Sequence, residues 1–217
     1  MNSKIQEYFG EYLMITQLNK NKLEQLIQKS LPGEKAQSEM APVTRNYTYP
    51  MPRKKSAAVM LLLYPDQNET RIVFIKRNEY RGPHSGQVSF PGGMFENVDN
   101  DLKQTAIRET EEEIGISAEK IDILGALTPL SIPVSNTFVQ PFVGWLDRVP
   151  VFYPEKSEVQ YLIITSLKDL FDPANCKKGT FGHTEQPIDA PYFEIEGEII
   201  WGATAMMLGE FRALVDL

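Results

Sequence analysis

A chain of 217 residues, 42% of them hydrophobic, can bury one sizeable core with an appendage but is short for two full domains. Its 22 Lys and Arg against 29 Asp and Glu leave a net charge of −7, which argues against a protein that grips nucleic-acid backbone by general electrostatics. The lone Cys176 has no partner for an internal disulfide, no secretory pattern opens the chain, and the longest apolar run, 57–64, is far too short to cross a membrane, so a soluble cytoplasmic protein is expected.

Two helical patterns come first, one through Ile5, Phe9, Tyr12 and Leu13 and one through Leu23, Leu26 and Ile27, ended by Pro32-Gly33. A polar, proline-punctuated stretch from Gly33 to about Pro52 reads as a linker or a segment draped over the main domain. The expected division is therefore an N-terminal helical appendage and linker over 1–52 and a main domain over 53–217. The aromatics Tyr8, Phe9 and Tyr12 are candidates for packing on that domain or for a homodimer interface.

Runs at 57–64 and 71–75 flank the turn-rich Pro65-Asp66-Gln67-Asn68 and predict a hairpin of buried strands, followed by a short strand at 87–90. A helix over about 101–114 comes next, then strands at 121–127, 139–146 and 160–165, and a closing helix from about Thr204 to Val215. Strands with few helices between them predict an α/β (α+β) fold with a mixed sheet covered on both faces.

The helix at 101–114 is bracketed by the N-cap candidates Asp99, Asn100 and Asp101, with Gln104 three residues beyond the last, and by Gly115 as its C-cap. Winding it at about 100° per residue puts Leu102, Ala106, Ile107, Thr110 and Ile114 on one broad apolar face, with Glu113 only about 20° from Leu102. Glu109 lies at the same edge, so Glu109, Glu112 and Glu113 should converge within one turn, while Glu111 should face solvent. Like charges at i and i+4 repel, and acidic residues in a last turn oppose the helix dipole. A divalent cation would compensate, since Mg²⁺ and Mn²⁺ take hard oxygen ligands.

Upstream stands Phe90-Pro91-Gly92-Gly93, whose paired glycines allow a close approach of backbone to a ligand or metal. Followed by Arg108-Glu109-Thr110-Glu111-Glu112-Glu113-Ile114-Gly115, it resembles the Nudix box: Gly, five residues, Glu, seven residues, then Arg-Glu-U-x-Glu-Glu-x-Gly-U, with U bulky and apolar. Here the acidic position is Asp99, eight residues precede Arg108, and the first U is Thr110. Both Asp and the longer spacing are typical of the branch that resembles coenzyme A pyrophosphatases. That branch carries a second motif just before the box. Arg77, Arg81, His84, Gly86, Gln87 and Val88 match it, while Asn78 replaces Ser and Tyr80 replaces Leu.

The resemblance covers roughly 57 to 217 and implies a Nudix-type α/β/α sandwich and a metal-dependent pyrophosphohydrolase. It implies that Glu109, Glu112 and Glu113, with the Gly93 carbonyl, hold one or more Mg²⁺ or Mn²⁺ ions. Glu109 and Glu112 would then be the reacting carboxylates, with Arg108 clamping a box glutamate. Arg77, Arg81, His84 and Gln87 form the expected substrate-binding set, and the first three are a local cationic cluster in an acidic protein. The base that activates water is either Glu109 or a carboxylate of a later loop, with Glu155 and Glu158 as candidates. The implied reaction cleaves coenzyme A to phosphopantetheine and adenosine 3′,5′-bisphosphate. ADP-ribose, a dinucleotide cofactor and an oxidised nucleotide or other nucleoside triphosphate are the competing substrates. A non-catalytic nucleotide-binding regulator is the competing class, disfavoured because all three glutamates are present.

Overall fold

The computed structural model describes residues 18–43, 55–82, 84–182 and 187–216. The helical pattern through Ile5, Phe9, Tyr12 and Leu13, and Tyr8 with it, lies outside them. Helix α1 (Lys20–Ile27) starts at Asn19, whose side chain accepts from the Lys22 amide, and buries Leu23, Leu26 and Ile27. The proline-punctuated stretch after it is more ordered than a linker. Residues Gly33–Glu39 form α2, with Ala36 and Gln37 buried. Its polar face hid the helix from a hydrophobic pattern, because the contact it makes is largely through Gln37.

The main sheet has eight strands, β1 (Lys55–Asp66), β2 (Glu69–Arg77), β3 (Val88–Ser89), β4 (Gly92–Met94), β5 (Asp122–Ala126), β6 (Leu130–Ile132), β7 (Thr137–Trp145) and β8 (Val159–Ser166). Gln67 and Asn68, both at positive φ, make the tight turn between β1 and β2. The two strands pair only from Leu63 to Asp66; further back, β1 pairs antiparallel with β4 and parallel with β7. β2 continues outward to pair with β3 and β8. The sheet is therefore mixed.

Alternation along β1 sorts the core into two layers. Ala58, Met60, Leu62 and Tyr64 join Val73, Ile75, Ala106 and Ile114 under helix α3 (Leu102–Ile114). Ala57, Leu61 and Leu63 join Ile72, Phe74 and Phe211 on the opposite face, under α1, α2 and the closing helix α5 (Gly202–Val215). With both faces covered, β1 reads as one continuous apolar run.

Between β8 and α5 lie a short helix, α4 (Leu167–Leu170), and a three-stranded antiparallel sheet of β9 (Cys176–Phe181), β10 (Ile188–Ile195) and β11 (Glu198–Trp201). The sequence reading does not predict this sheet. Its strands are short and carry Lys177, Lys178, Asp189 and Glu194, and a half-buried pair, Phe181 stacked on Trp201 with centroids 4.5 Å apart, joins two of them. Among the described residues no helix is long and apolar enough to cross a membrane.

Candidate active site

Helix α3 presents the acidic segment to the end of β4. Asp101 caps its start by accepting from the Gln104 amide at 2.8 Å, and Gly115 ends it at φ 71° with its N–H on the Glu111 carbonyl. Thr110, at an apolar position of the box, is buried and turns its hydroxyl back to the Ala106 carbonyl at 2.6 Å. Glu111 is exposed, as the helical winding predicts.

Two glycines of β4 let the sheet meet this helix at close range. A Cβ on Gly92 would fall 2.3 Å from the Ala58 carbonyl oxygen, and one on Gly93 would fall 2.4 Å from the Glu109 carboxyl carbon. The Glu109 carboxylate thus occupies the place of a missing side chain. The Gly92 N–H donates to Glu113 at 2.8 Å, and Arg77 lies 3.6 Å from the other oxygen of that carboxylate. Glu113 is only 2% exposed, and burial pushes its carboxyl up to about 8 despite both partners. Burial raises Glu109 as well, against the pull of Arg108.

The three glutamates do not converge as the helical wheel predicts. Arg108 Nη1 donates to Glu109 and to Glu112, each at 2.9 Å, while Glu113 is turned to Gly92. Among the described residues, no three His, Cys, Asp or Glu side chains are grouped to hold an ion. The donor set nevertheless fits a hard cation. Glu109 and Glu113 are desolvated carboxylates beside a backbone with no side chain, and Glu112, with 58% of its side chain exposed, is able to swing from Arg108 toward them.

Asp99 is the site residue that the sequence reading leaves without a role. Buried just ahead of α3, it accepts two bonds from Arg108, at 2.9 and 3.0 Å, and others from Thr105 and the Glu96 amide. The paired guanidinium holds its carboxyl well below the usual range. Arg108 therefore spans Asp99, Glu109, Glu112 and the Met94 carbonyl. It fixes the orientation of the glutamates rather than reaching outward. The signal was present in the sequence as Asp99 in the acidic position of the box, but its pairing with Arg108 needed coordinates.

Beyond Glu113 the chain returns as a loop fastened on the end of α3, with Tyr153 N–H on the Ile114 carbonyl and Glu155 N–H on the Glu113 carbonyl. This loop separates the two late carboxylates. Glu155 is exposed and bonded to the Ser157 amide and hydroxyl. Glu158 instead bears electrostatically on both Glu109 and Glu113. It also lines a cleft of about 660 Å³ together with Arg77, Asn78, Tyr80, Ser157 and Gln160.

The remaining predicted cations sit apart from the carboxylates. Arg81 is exposed on the loop after β2, and His84, at φ 67°, pairs its Nδ1 with Gln87 Oε1 at 3.0 Å. No ion pair links Arg81 or His84 to the box glutamates among the described residues. Gln87 accepts from the Arg77 amide through its carbonyl, so the loop is tied to the end of β2.

The NUDIX domain profile matches residues 54–174. Nudix hydrolase 22, chloroplastic, of Arabidopsis thaliana is 32% identical over 83% of this chain and 59% of its own length. An uncharacterised Nudix hydrolase, NudL, of Yersinia pestis is 30% identical over 76% of this chain and 81% of its own. Among solved structures, a MutT/nudix family protein from Enterococcus faecalis aligns with a TM-score of 0.48 at 15% identity, over 80% of this chain and 66% of that one. The chain belongs to the Nudix family and is a pyrophosphohydrolase of it.

Proposed function

We propose that the protein is a metal-dependent hydrolase of coenzyme A or its derivatives, cutting the diphosphate to give phosphopantetheine and adenosine 3′,5′-bisphosphate. The observation that carries the reading is that buried carboxylates meet a ligand-sized cleft at Arg77. That side chain touches Glu113 and also walls the cleft, so a diphosphate at the carboxylates would have room for the groups on either side of it. The coenzyme A assignment rests on the Arg77 to Val88 motif, whose loop adjoins the same cleft.

Glu109, Glu112 and Glu113, with the Gly93 carbonyl, would hold Mg²⁺ or Mn²⁺. Bound there, the ion would neutralise charge on the diphosphate oxygens and make a bound water more acidic. Arg108 keeps Glu109 and Glu112 oriented, and Arg77 meets substrate phosphate, while Arg81, His84 and Gln87 shape or contact the substrate from the loop. Glu158 faces both the cleft and the carboxylates and is the group of choice to take the proton of the attacking water.

The test is hydrolysis of coenzyme A, ADP-ribose and NADH in parallel, with and without Mg²⁺ or Mn²⁺, using mass spectrometry to locate the cut bond. Metal-dependent phosphopantetheine release that outpaces the other substrates and is lost in Glu112→Gln is expected. Glu158→Gln should lower kcat by about 100-fold with KM little changed. Preference for another substrate would discard coenzyme A, and no turnover of any would return weight to a binding role.

A further inference from the structure

The cleft beside Arg77 lies at an irregularity of the sheet. β2 and β8 pair in register from Arg71 opposite Ser166 to Lys76 opposite Tyr161, after which Arg77 stands opposite Val159 and Gln160 is the extra residue of a bulge. A bulge leaves its extra residue unpaired and bends the strand locally. Val159 enters the core layer under α3, while Gln160 is exposed on the wall of the cleft.

Tyr80, on the loop after β2, lines the same cleft as Gln160. Tyr80 is 46% exposed, and one edge of its ring lies against Gly82, where an added Cβ would come within 2.9 Å of it. Gly82 thus leaves room for the ring. The loop beneath is closed by the Gly86 amide on the Asn78 carbonyl and by the Ser85 hydroxyl accepting from the Tyr80 amide at 2.8 Å. Asn78 ties it to the far wall through the Lys156 carbonyl at 2.9 Å. The loop that carries the ring is thereby tied at both ends.

From this arrangement we infer that the cleft is a purine subsite, the ring of the base lying on Tyr80 and its edge meeting the Gln160 amide. An aromatic wall recognises a planar ring of any kind, and a carboxamide offers adjacent donor and acceptor, the pattern that adenine presents on its N6 and N7 edge. Arg77 at the inner end separates this polar pocket from the carboxylates, so it receives the phosphate that joins base and cleavage site. The inference rests on the proposed placing of the diphosphate at the carboxylates, but it does not require the substrate to be coenzyme A.

Calorimetric titration of AMP and of ribose 5-phosphate onto the full chain with Mg²⁺ tests it, since the two differ only by the base and neither contains an anhydride to cleave. Wild type should bind AMP about 10-fold or more tightly than ribose 5-phosphate. Tyr80→Leu should bring the two within about 2-fold, Tyr80→Phe should keep the preference, and Gln160→Ala should weaken AMP by about 5-fold while leaving ribose 5-phosphate unchanged. Unchanged ribose 5-phosphate binding in the variants would also show that they fold. Equal affinities in wild type, or a preference for AMP that survives Tyr80→Leu, would overturn the subsite. Rejection of coenzyme A in the turnover assay together with an AMP preference that depends on Tyr80 would sink the substrate reading and leave this inference standing.

Discussion

Glu113 couples the site to folding because its carboxyl is buried under α3 against the Gly92 amide. Its ordinary value of 4.5 rises to about 8 in the fold. Between those limits the folded, metal-free protein binds a proton that the unfolded chain has released, so this group's stabilising contribution is complete below pH 4.5 and is lost as the pH climbs to 8. Urea unfolding in EDTA should therefore give a higher stability at pH 5 than at pH 8.5, by on the order of 2–5 kcal/mol, and Glu113→Gln should remove most of that difference. An unaltered slope in the variant would assign the pH dependence elsewhere. At Gly93 the constraint is space. Ala at this position would drive a methyl into the Glu109 carboxylate, and because that carboxylate has to swing away, metal affinity should fall about 10- to 100-fold, read by titrating activity with Mn²⁺.

At the scale of elements, α3 was legible because its signals are local. Its cap, its C-terminal glycine and its apolar face each follow from spacing, and the sheet that it covers follows from the runs on either side of it. What was not legible depends on contacts distant in sequence: the pairing of Asp99 with Arg108, the polar docking of α2, the bulge at Gln160, and the loop that closes the end of α3. Gly115 joins two of these scales. It needs φ 71° to end the helix, and a Cβ there would also lie 2.7 Å from that of Tyr153. Gly115→Ala should cost about 1–2 kcal/mol through backbone strain and displace the loop that carries Glu158. Asp101→Ala should cost about 1 kcal/mol by removing the cap at the far end, without touching the loop. Thermal unfolding and kcat measured side by side separate them, with a fall in kcat below the unfolding range expected for Gly115→Ala alone. Equal kcat in both variants would mean that the loop's position does not govern turnover.

Across the whole molecule, the face of the sheet away from the site is held by a buried carboxylate. Glu210 of α5 has no exposed surface, and it accepts from the Gln37 amide side chain at 2.8 Å, from the Thr128 N–H at 3.1 and 3.2 Å and from the Gly33 N–H at 3.3 Å. Gln37 also donates to the Thr128 carbonyl at 2.8 Å, so α2, α5 and the segment between β5 and β6 close on one polar knot within an apolar layer. Three N–H donors, two from α2 and one from Thr128, converge there, which no pattern along the sequence announces. Glu210→Gln keeps the volume but turns an NH₂ toward donors that need an acceptor, and Glu210→Leu leaves all three unpaired. Since each unsatisfied buried group costs about 1–3 kcal/mol, Glu210→Leu should lose at least about 3 kcal/mol, a fall of roughly 6–12 °C in Tm for a chain of this size. Glu210→Gln should lose less than the leucine variant but still more than about 1 kcal/mol. Because α3 and its carboxylates lie on the opposite face, kcat well below Tm should remain within about 2-fold of wild type in both. A large loss of kcat at low temperature would mean that the knot is coupled through the sheet to the site, and an unchanged Tm would mean that water takes over the three donors.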